Sequence, residues 1–522
     1  MNSALRIGGA LTVTAAMVVA MTACEDKDSK DKDSKGTAAA KAVPASLTGQ
    51  RLDWHTCAAP TPAQGGGKAP GKGWECATMK APRDYAKPQD GSIGVQLIRK
   101  KTTDPKKRIG SLVYNFGGPG GSGIQTMPAL GEAYGTLNQR YDLVSFDPRG
   151  VGESEGVKCL SDKETDAMAE RVDSTPDTPA EEKAAQAASK KYVQACARNS
   201  GRMLPHVDTV STARDMDLMR QVLGDKKLNY FGISYGTELG GVYAHLFPKR
   251  VGRSVLDAVV DPTQDERENG LAQAKGFQLA LNNFMKECAT AGKECPTGKG
   301  GAEGSRKLTD FFEKLDKKPL PTKSGRKLTE GQAVTGVVSS LYSKESWVYL
   351  MLGLSEAMEN GTGDMLLGLA DSYTGRDGKG RYSNSDPANR AVNCVDDKAR
   401  YTEKDVEAAL PEFRKASPVF GETVASFLTS CSGWPVKGET DGPEVSAKGA
   451  APIVVIGNTG DPATPYEGAR KMATALGKGV GINVTLKGEG HGGYNTGNKC
   501  LRKAVDGYLL NGKVPAMDTT CS

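Results

Sequence analysis

The fold is decided by one stretch of the sequence, Leu228-Asn-Tyr-Phe-Gly-Ile-Ser-Tyr-Gly-Thr-Glu-Leu239. It combines an apolar run of strand type, the pattern G-x-S-x-G centred on Ser234, and the beginning of a helical pattern. The turn at such a serine is so tight that side chains two residues away on either side would collide, and Gly232 and Gly236 remove the collision. The stretch therefore predicts a nucleophile elbow between a strand and a helix, with Ser234 at its tip.

Apolar runs of strand length alternate with helical patterns on both sides of the elbow. We predict strands at residues 111–115, 141–146, 228–232, 253–260, 451–456 and 482–486, and helices at 208–223 and 237–247. Such alternation is typical of a parallel sheet with helices on both faces. The sequence therefore predicts an α/β core built from residues 44–262 and 441–522, and we expect residues 44–95 to be irregular and joined by disulfides.

A long helical insertion separates the fourth predicted strand from the fifth. Within residues 263–440 we predict helices at 271–287, 305–317, 330–342 and 347–359, joined by Gly-, Lys- and Ser-rich connections. Active sites of α/β sheets lie at the carboxyl ends of their strands. An insertion that starts from a strand end is therefore predicted to form a lid above the site.

A glycine-rich loop, Gly117-Gly-Pro-Gly-Gly-Ser-Gly123, follows the first predicted strand. It also matches the dinucleotide-binding pattern G-x-G-x-x-G, with Asp142 at a suitable distance downstream. Pro119 lacks an N–H that a phosphate would use, however, and a dinucleotide site leaves the elbow unexplained. In a serine hydrolase such a loop supplies one backbone N–H to the oxyanion, and Tyr235, directly after the nucleophile, supplies the other. We favour the second interpretation.

A serine nucleophile needs a histidine base, and the sequence has four histidines. His55 precedes every predicted core strand, His206 lies ahead of the elbow, and His245 falls on the helix after it. His491 follows a late strand in the glycine-rich loop Gly488-Glu-Gly-His-Gly-Gly493. Because the base comes last in the chain order of such triads, we predict that His491 is the base.

The acid of the triad is expected between the elbow and His491. Asp461 follows the predicted strand at 451–456 and lies in a loop at its carboxyl end, where it would hold the imidazole in one tautomer and stabilise the imidazolium. Asp257 and Asp261 follow an earlier strand and remain alternatives. We predict that Asp461 is the acid.

The amino-terminal residues are typical of an exported lipoprotein. An apolar run at residues 7–20 is too short for a membrane span and ends in Met21-Thr-Ala-Cys24, which resembles a lipobox with Met in place of the usual Leu. Residues 1–24 are therefore predicted to be a lipoprotein signal peptide that leaves lipid on Cys24, with plain secretion as the alternative. Residues 25–43 lack an apolar face and are predicted to be a flexible tether.

Ten cysteines remain when Cys24 is set aside from the total of eleven. An even number in an exported chain indicates disulfides, and neighbours in sequence would close short loops. We predict the pairs Cys57–Cys76, Cys159–Cys196, Cys288–Cys295, Cys394–Cys431 and Cys500–Cys521. The sequence contains no C-x-x-C and few histidines, so we predict no metal site.

The charge balance argues against a nucleic-acid-binding protein. The chain has 68 basic and 62 acidic residues, a formal net charge of +6, and aromatic residues make up 6% of it. No basic cluster is interleaved with aromatic side chains, which is the pattern that nucleic-acid recognition requires.

Several motifs resemble those of the secreted actinomycete tripeptidyl aminopeptidases, relatives of the proline iminopeptidases within the α/β-hydrolase fold. They are Asn115-Phe-Gly-Gly-Pro-Gly-Gly-Ser-Gly123, Asp147-Pro-Arg-Gly-Val-Gly-Glu-Ser154, Gly232-Ile-Ser-Tyr-Gly-Thr237, Gly460-Asp-Pro-Ala-Thr-Pro465 and Gly490-His-Gly492. Proline iminopeptidases usually carry His before the glycine-proline loop, whereas Phe116 stands there in this chain, as in the tripeptidyl branch.

The resemblance implies a role for each residue at these motifs. Ser234, Asp461 and His491 would form the triad, and Gly118 and Tyr235 would donate N–H groups to the oxyanion. Thr464, close after the acid, would border the site. No metal or organic cofactor is implied.

We expect an exported peptidase that releases short peptides from free N-termini, and the resemblance implies that these are tripeptides. Its partners would be peptide substrates and, through Cys24, the membrane. Such an enzyme must recognise an ammonium group, and the candidate carboxylates are Asp396 and Asp397 in the lid and Glu238 after the nucleophile. The alternatives are an esterase or other acyl hydrolase with the same triad, and a peptide-binding lipoprotein without activity.

Overall fold

The computed structural model describes residues 42–522, and its centre is one sheet of ten strands. The sheet contains β1 His55–Thr56, β2 Trp74–Pro82, β3 Ser92–Lys100, β4 Gly110–Asn115, β5 Tyr141–Phe146, β6 Leu228–Ile233, β7 Val251–Asp257, β10 Ile453–Gly460, β11 Gly481–Glu489 and β12 Thr519–Cys521. Their spatial order is β1-β2-β3-β5-β4-β6-β7-β10-β11-β12. Pairing is parallel from β5 to β12 along this order and antiparallel among β1, β2, β3 and β5.

Helices pack on both faces of this sheet, because successive side chains of each strand point to opposite faces. On one face Val113 of β4 belongs to a buried cluster with Leu239 and Met472 of two helices. On the other face the adjacent Leu112 packs in a cluster with Val505. The predicted α/β fold with a mostly parallel sheet is confirmed. The helices of this core are Ala45–Thr48, Gly123–Leu130, Gly135–Asn138, Asp162–Arg171, Pro179–Ser200, Thr209–Val222, Tyr235–Leu246, Glu467–Leu476 and Lys499–Asn511.

The chain between β7 and β10 forms the predicted helical lid, which has a hydrophobic core of its own. Its helices are Glu266–Cys288, Gly301–Lys317, Glu330–Leu341, Trp347–Ser355, Asp364–Thr374, Ser385–Asp396, Glu403–Ala416 and Gly421–Ser426, and β8 Leu320–Pro321 pairs with β9 Lys327–Leu328 in a small hairpin. The buried lid cluster includes Leu281, Phe284, Leu308, Val337, Leu350 and Leu366. These helices therefore pack on each other as well as on the sheet.

Residues 44–95 differ from the irregular segment that we expected. They contain β1, β2 and the first four residues of β3, and β2 pairs antiparallel with β3 from Trp74 opposite Lys100 to Pro82 opposite Ser92. The reason is a period-two pattern in which Ala77, Met79 and Ala81 are buried, and such alternation is typical of a strand with one covered face. The interspersed polar residues hid this short alternation.

The five predicted disulfides are confirmed with their predicted partners. They join Cys57–Cys76, Cys159–Cys196, Cys288–Cys295, Cys394–Cys431 and Cys500–Cys521. Among residues 42–522, no helix has the length and apolar composition needed to span a bilayer. The predicted signal peptide, most of the tether and Cys24 lie outside the described residues.

Candidate active site

Ser234 lies on the turn between β6 and the helix Tyr235–Leu246, with φ 58° and ψ −129°. The glycines on either side leave no room for a side chain. A Cβ on Gly232 would lie 2.2 Å from the carbonyl oxygen of Gly236, and one on Gly236 would lie 2.5 Å from that of Asn115. The strained turn predicted for a nucleophile elbow is therefore present, and it places the half-buried Ser234 directly after the end of β6.

The glycine-rich loop packs directly against this elbow. A Cβ on Gly117 would lie 2.7 Å from Cβ of Ser234 and 3.1 Å from the backbone nitrogen of Tyr235. The N–H of Gly117 donates to Oδ1 of Asn115 at 3.0 Å. Among residues 42–522, neither the N–H of Gly118 nor that of Tyr235 donates a hydrogen bond. Two unpaired donors next to a serine can bind a developing oxyanion.

The far end of the glycine loop is held by the Asp147 motif. Oδ1 of Asp147 accepts hydrogen bonds from the Ser122 hydroxyl at 2.6 Å and the Ile124 N–H at 3.2 Å. Arg149, two residues later, is fully buried and paired with Asp215 at 2.7 Å. Both motif residues therefore support the loop structure and do not face the site.

His491 and Asp461 form a hydrogen-bonded pair. Nδ1 of His491 lies 2.8 Å from Oδ1 and 3.1 Å from Oδ2 of Asp461. Burial by itself would lower the pKa of His491, but the negative charge and the hydrogen bond of Asp461 outweigh it, so the pKa is raised above 6.5. With Nδ1 protonated towards the carboxylate, Nε2 is the nitrogen that can accept a proton.

Three backbone N–H groups hold the carboxylate of Asp461 in place. Its side chain is buried, and it accepts N–H groups from Ala463 at 3.0 Å, Thr464 at 2.9 Å and Gly492 at 3.2 Å. The Thr464 hydroxyl lies 3.4 Å from Nδ1 of His491. Thr464 thus contacts both members of the pair, next to the site as the resemblance implied.

Asp257, one of the two alternative acids, binds the backbone of the His491 loop. Its carboxylate accepts the N–H groups of Gly493 at 2.8 Å and Tyr494 at 2.9 Å, and burial raises its pKa to about 6. Asn458 donates to the carbonyl oxygen of Gly490 at 2.7 Å. Sequence reasoning missed these two supporting roles, although both residues lie at or near the carboxyl ends of strands.

The remaining alternatives lie away from the Asp461–His491 pair. Asp261 forms an ion pair with Lys471 at 2.8 Å. Nδ1 of His245 lies 2.8 Å from the carbonyl oxygen of Ser446. Asp142, considered for a dinucleotide site, lies near the beginning of β5 and pairs with Arg108 at 2.8 Å. Since β4 and β5 are parallel and the glycine loop follows the carboxyl end of β4, Asp142 lies at the opposite edge of the sheet from this loop.

Three carboxylates were predicted as candidates for ammonium binding, and two of them already have partners. Asp396 accepts the Thr209 N–H at 2.9 Å and its hydroxyl at 2.6 Å, and Asp397 accepts the Ala399 N–H at 2.6 Å. Glu238 lies one helical turn after Ser234, and among residues 42–522 no donor reaches its carboxylate. Burial first, and the negative charge of Asp397 second, raise the pKa of Glu238 to about 7.

A fourth carboxylate, Glu266, lies close to Asp397. We call Glu238, Asp396, Asp397 and Glu266 the acidic group. Burial raises the pKa of Glu266 to about 7, with the charge of Asp397 adding to the effect and Arg400 opposing it. Glu266 lies at the first position of the lid helix Glu266–Cys288. Sequence reasoning missed it because an acidic residue at a helix start is usually a solvated one.

The lid reaches the glycine loop through the helix Ser385–Asp396. A Cβ on Gly120 would lie 2.4 Å from the carbonyl oxygen of Ser385, and Asn389 donates its amide to the carbonyl of Pro119 at 3.1 Å. One helix of the lid therefore contacts the glycine loop near its amino-terminal end and carries Asp396 at its carboxyl-terminal end.

One group of side chains among residues 42–522 has a spacing that a cation could bridge. Carboxylate oxygens of Asp173, Asp316 and Glu330 lie within 4.8 Å of one another. Glu330 also accepts a hydrogen bond from Thr175 at 2.7 Å. The group includes no residue of the Asp461–His491 pair, and the hydrolytic arrangement does not depend on it.

Two family profiles match the chain. One, described as "alpha/beta hydrolase fold", matches residues 110–295, and the other, "TAP-like protein", matches residues 417–521. Together they include Ser234, Asp461 and His491.

Curated relatives extend this similarity to nearly the whole chain. "Serine protease Hip1" of Mycobacterium tuberculosis is 39% identical over 494 residues, 91% of each chain. "Tripeptidyl aminopeptidase" of Streptomyces lividans is 31% identical over 531 residues, covering 100% of this chain and 95% of the relative. "Carboxylesterase B" of Mycobacterium tuberculosis is 36% identical over 455 residues, 86% of each chain.

Proposed function

The chain belongs to the α/β-hydrolase family, with a TAP-like carboxyl-terminal part, and we propose that it is an exported serine peptidase that releases short peptides from free N-termini. The observation that carries this proposal is the combination of two features. The proposal is supported by the strained turn at Ser234 together with the hydrogen-bonded Asp461–His491 pair, and by the unpaired carboxylate of Glu238 one helical turn beyond the proposed nucleophile.

Ser234, His491 and Asp461 would act together as nucleophile, base and acid. Nε2 of His491 takes the proton of the Ser234 hydroxyl as its oxygen attacks the peptide carbonyl, and the N–H groups of Gly118 and Tyr235 bind the resulting oxyanion. The imidazolium then protonates the leaving amine, and the acyl-enzyme remains. A water molecule, deprotonated by the same imidazole, hydrolyses the ester and releases the amino-terminal peptide.

The acidic group would recognise the substrate's ammonium. Glu238 is the leading candidate because it has no partner within residues 42–522, is partly buried, and lies close enough to Asp397 to be affected by its negative charge. An ammonium placed there would replace water by a charge-assisted hydrogen bond. Asp396 would act indirectly, through Thr209. The carboxylate of Asp396 accepts a hydrogen bond from the Thr209 hydroxyl, and the oxygen of that hydroxyl lies 2.5 Å from the Tyr235 hydroxyl oxygen.

Export is supported by the cysteines. All ten cysteines within residues 42–522 are paired in disulfides, which persist in oxidising compartments outside the cytoplasm. The lipobox-like sequence before Cys24 adds the proposal that lipid holds the enzyme at the outer face of the membrane. Peptides outside the cell would then be its substrates.

Esterase activity is the second candidate, since a relative named carboxylesterase B is 36% identical. The same triad and oxyanion donors would hydrolyse an ester, whereas the unpaired carboxylate would have no role. A peptide-binding protein without activity is a third possibility, and an active-site serine probe separates it from both enzymes.

The test compares matched substrates with free and N-acetylated amino termini, alongside fluorophosphonate labelling of the full chain. We expect labelling at Ser234 and hydrolysis of free peptides, with N-acetylation abolishing most of the cleavage. Equal hydrolysis of both forms would contradict the aminopeptidase proposal and indicate an endopeptidase or esterase. Absence of labelling would overturn the enzyme assignment itself.

A further inference from the structure

The loop that carries His491 is contacted by the lid as well as by the sheet core. The N–H of His491 donates to the carbonyl oxygen of Tyr342 at 2.7 Å. The Tyr342 ring lies 5.2 Å from the imidazole, centroid to centroid, at an interplanar angle of 82°. A Cβ on Gly490 would lie 3.0 Å from the same carbonyl oxygen. Tyr342 therefore packs directly on the residue that we assign as the base.

A second lid residue holds the same loop two residues earlier. The side-chain amide of Asn283 lies 3.1 Å from both carboxylate oxygens of Glu489. Glu489 ends β11, and its side chain covers Gly460, where a Cβ would lie 2.5 Å from Oε2 of Glu489. The contact is thus next to the backbone that carries His491 and next to the residue that precedes Asp461.

Both lid residues are tied to one packed unit. Asn283 lies on the helix Glu266–Cys288 between the buried Leu281 and Phe284. Phe277 of the same helix packs on the Tyr342 ring at 5.6 Å between centroids. Displacement of this part of the lid would therefore move both contacts together.

The sheet core binds the backbone of the His491 loop at several residues but does not bind the N–H of His491, which the lid binds. Asn458 and Asp257 bind the backbone of Gly490, Gly493 and Tyr494, and the carboxylate of Asp461 binds the imidazole and the N–H of Gly492. The backbone N–H of His491 itself donates to Tyr342 of the lid. A shift in the position of the lid would consequently change the position of the His491 imidazole relative to Ser234.

We propose that Tyr342 and Asn283 are positioning residues: the lid helps to hold the base in place, so that reactivity of Ser234 depends on lid seating. This rests on the proposed roles of Ser234 and His491. A lid that only bound substrate would change KM and leave the reactivity of the serine towards a small probe unaltered. A lid that positions the base would change both.

The experiment measures the second-order rate constant for labelling by a small alkyl fluorophosphonate, which reaches Ser234 without a peptide to fill the lid. In the full chain, Asn283→Ala and Glu489→Ala are each expected to slow labelling by about tenfold, the effect of losing one hydrogen bond to a charged group. Asn282→Ala is the matched control, because Asn282 is the exposed neighbour on the same helix and, among residues 42–522, its side chain hydrogen-bonds only to Gln278. Its labelling rate should equal that of the wild type.

Two further variants connect the effect to the proposed contacts. The double variant Asn283→Ala with Glu489→Ala should be no slower than Glu489→Ala alone, because both changes remove the same contact. Tyr342→Leu should slow labelling more than Tyr342→Phe, which keeps the ring against His491. Circular dichroism and the thermal unfolding temperature of each variant report whether it is folded.

The outcomes separate the two levels of the argument. A wild-type chain that is not labelled would overturn the assignment of Ser234 and His491 and this inference with it. The positioning role alone would be overturned if the wild type is labelled and the folded variants Asn283→Ala and Tyr342→Leu are labelled at the same rate. If Asn283→Ala does not fold, the labelling rates of the two Tyr342 variants decide. A lower rate for Tyr342→Leu than for Tyr342→Phe supports the positioning role, and equal rates contradict it.

Discussion

Ser234, the proposed nucleophile, has a backbone conformation that L-residues avoid, and such strain costs about 1–3 kcal/mol. Ala in its place keeps the backbone and loses only the oxygen. We expect Ser234→Ala to remain folded by circular dichroism and to lose turnover by a factor of about 10⁴–10⁶, since triad members act as a unit. The loss should appear in kcat with a peptide substrate.

His245→Ala is the control for this prediction. His245 lies near the carboxyl end of the helix Tyr235–Leu246, whereas Ser234 directly precedes this helix. Nδ1 of His245 contacts the carbonyl oxygen of Ser446. Its removal, like that of His206, should cost little activity, whereas His491→Ala should match Ser234→Ala. Near-normal turnover in Ser234→Ala would refute the triad.

The pKa of His491 predicts the pH dependence of acylation. A proton on Nε2 blocks the base, and Asp461 raises the pKa above 6.5 against the effect of burial. Fluorophosphonate labelling should therefore fall as the pH drops through a value above 6.5. In Asp461→Asn only the smaller effect of the Asp257 charge still opposes burial, so the acidic limb should move to lower pH while the rate falls by about 10⁴.

The pH profile of labelling is the measurement, because the probe has no ammonium and is independent of the acidic group. A limb at the same pH in Asp461→Asn and the wild type would show that His491 is not the group titrating.

Glu238 predicts how the enzyme discriminates between substrates. Its replacement by Gln keeps the shape and removes the charge that an ammonium would meet. We expect Glu238→Gln to raise KM for peptides with free N-termini by about tenfold or more, and to leave the slow hydrolysis of N-acetylated peptides unchanged. Since the pKa of Glu238 is raised to about 7, KM for free peptides should also rise as the pH falls below that value.

Asp396→Asn is the comparison for Glu238→Gln. Asp396 already accepts two hydrogen bonds from Thr209, so its replacement should disturb the site through Thr209 and affect free and blocked peptides alike. A larger selective effect at Asp396 than at Glu238 would reverse the assignment of the ammonium partner.

Among the elements, the helix Ser385–Asp396 depends on the glycine loop for its position. Ala at Gly120, where φ is 100°, would place a Cβ 2.4 Å from the Ser385 carbonyl oxygen. We expect Gly120→Ala to lower the free energy of unfolding by about 1–3 kcal/mol through overpacking and to lower kcat/KM by displacing the lid from the site. Denaturant unfolding and peptide kinetics measure the two effects.

Gly135→Ala is the control for adding a Cβ at a glycine where there is room for it. A Cβ there would meet nothing within 4 Å, and Gly135 begins the short helix Gly135–Asn138. Its stability and kinetics should stay close to those of the wild type. An unaltered Gly120→Ala enzyme would contradict the close packing of lid and loop.

At the scale of the whole molecule, the prediction concerns anchoring. If Cys24 carries lipid, the full chain should partition into the membrane fraction and into detergent, and Cys24→Ser should be released in soluble form. Ser234→Ala should remain in the membrane fraction, which separates anchoring from activity. Unchanged processing and membrane association of Cys24→Ser would refute the lipobox prediction.

Local patterns were sufficient for much of this molecule. The strand–elbow–helix order, the positions of Asp461 and His491 after late strands and the five disulfides were predicted from the sequence. Each depends on residues close together in sequence or on the rule that active sites of parallel sheets lie at carboxyl strand ends. The β2–β3 pair was within reach of the same reasoning and was missed.

Only the tertiary structure decided which side chains meet across long separations. The sequence placed three acidic residues near the site, but the contact of Asp396 with Thr209 and the unpaired state of Glu238 within residues 42–522 depend on how the lid packs. The same holds for Tyr342 on His491 and Asn283 on Glu489. Hydrophobic periodicity determines which face of an element is buried, because burial of apolar surface is non-directional. A hydrogen bond needs two atoms at about 3 Å, and only the packed lid brings those atoms together.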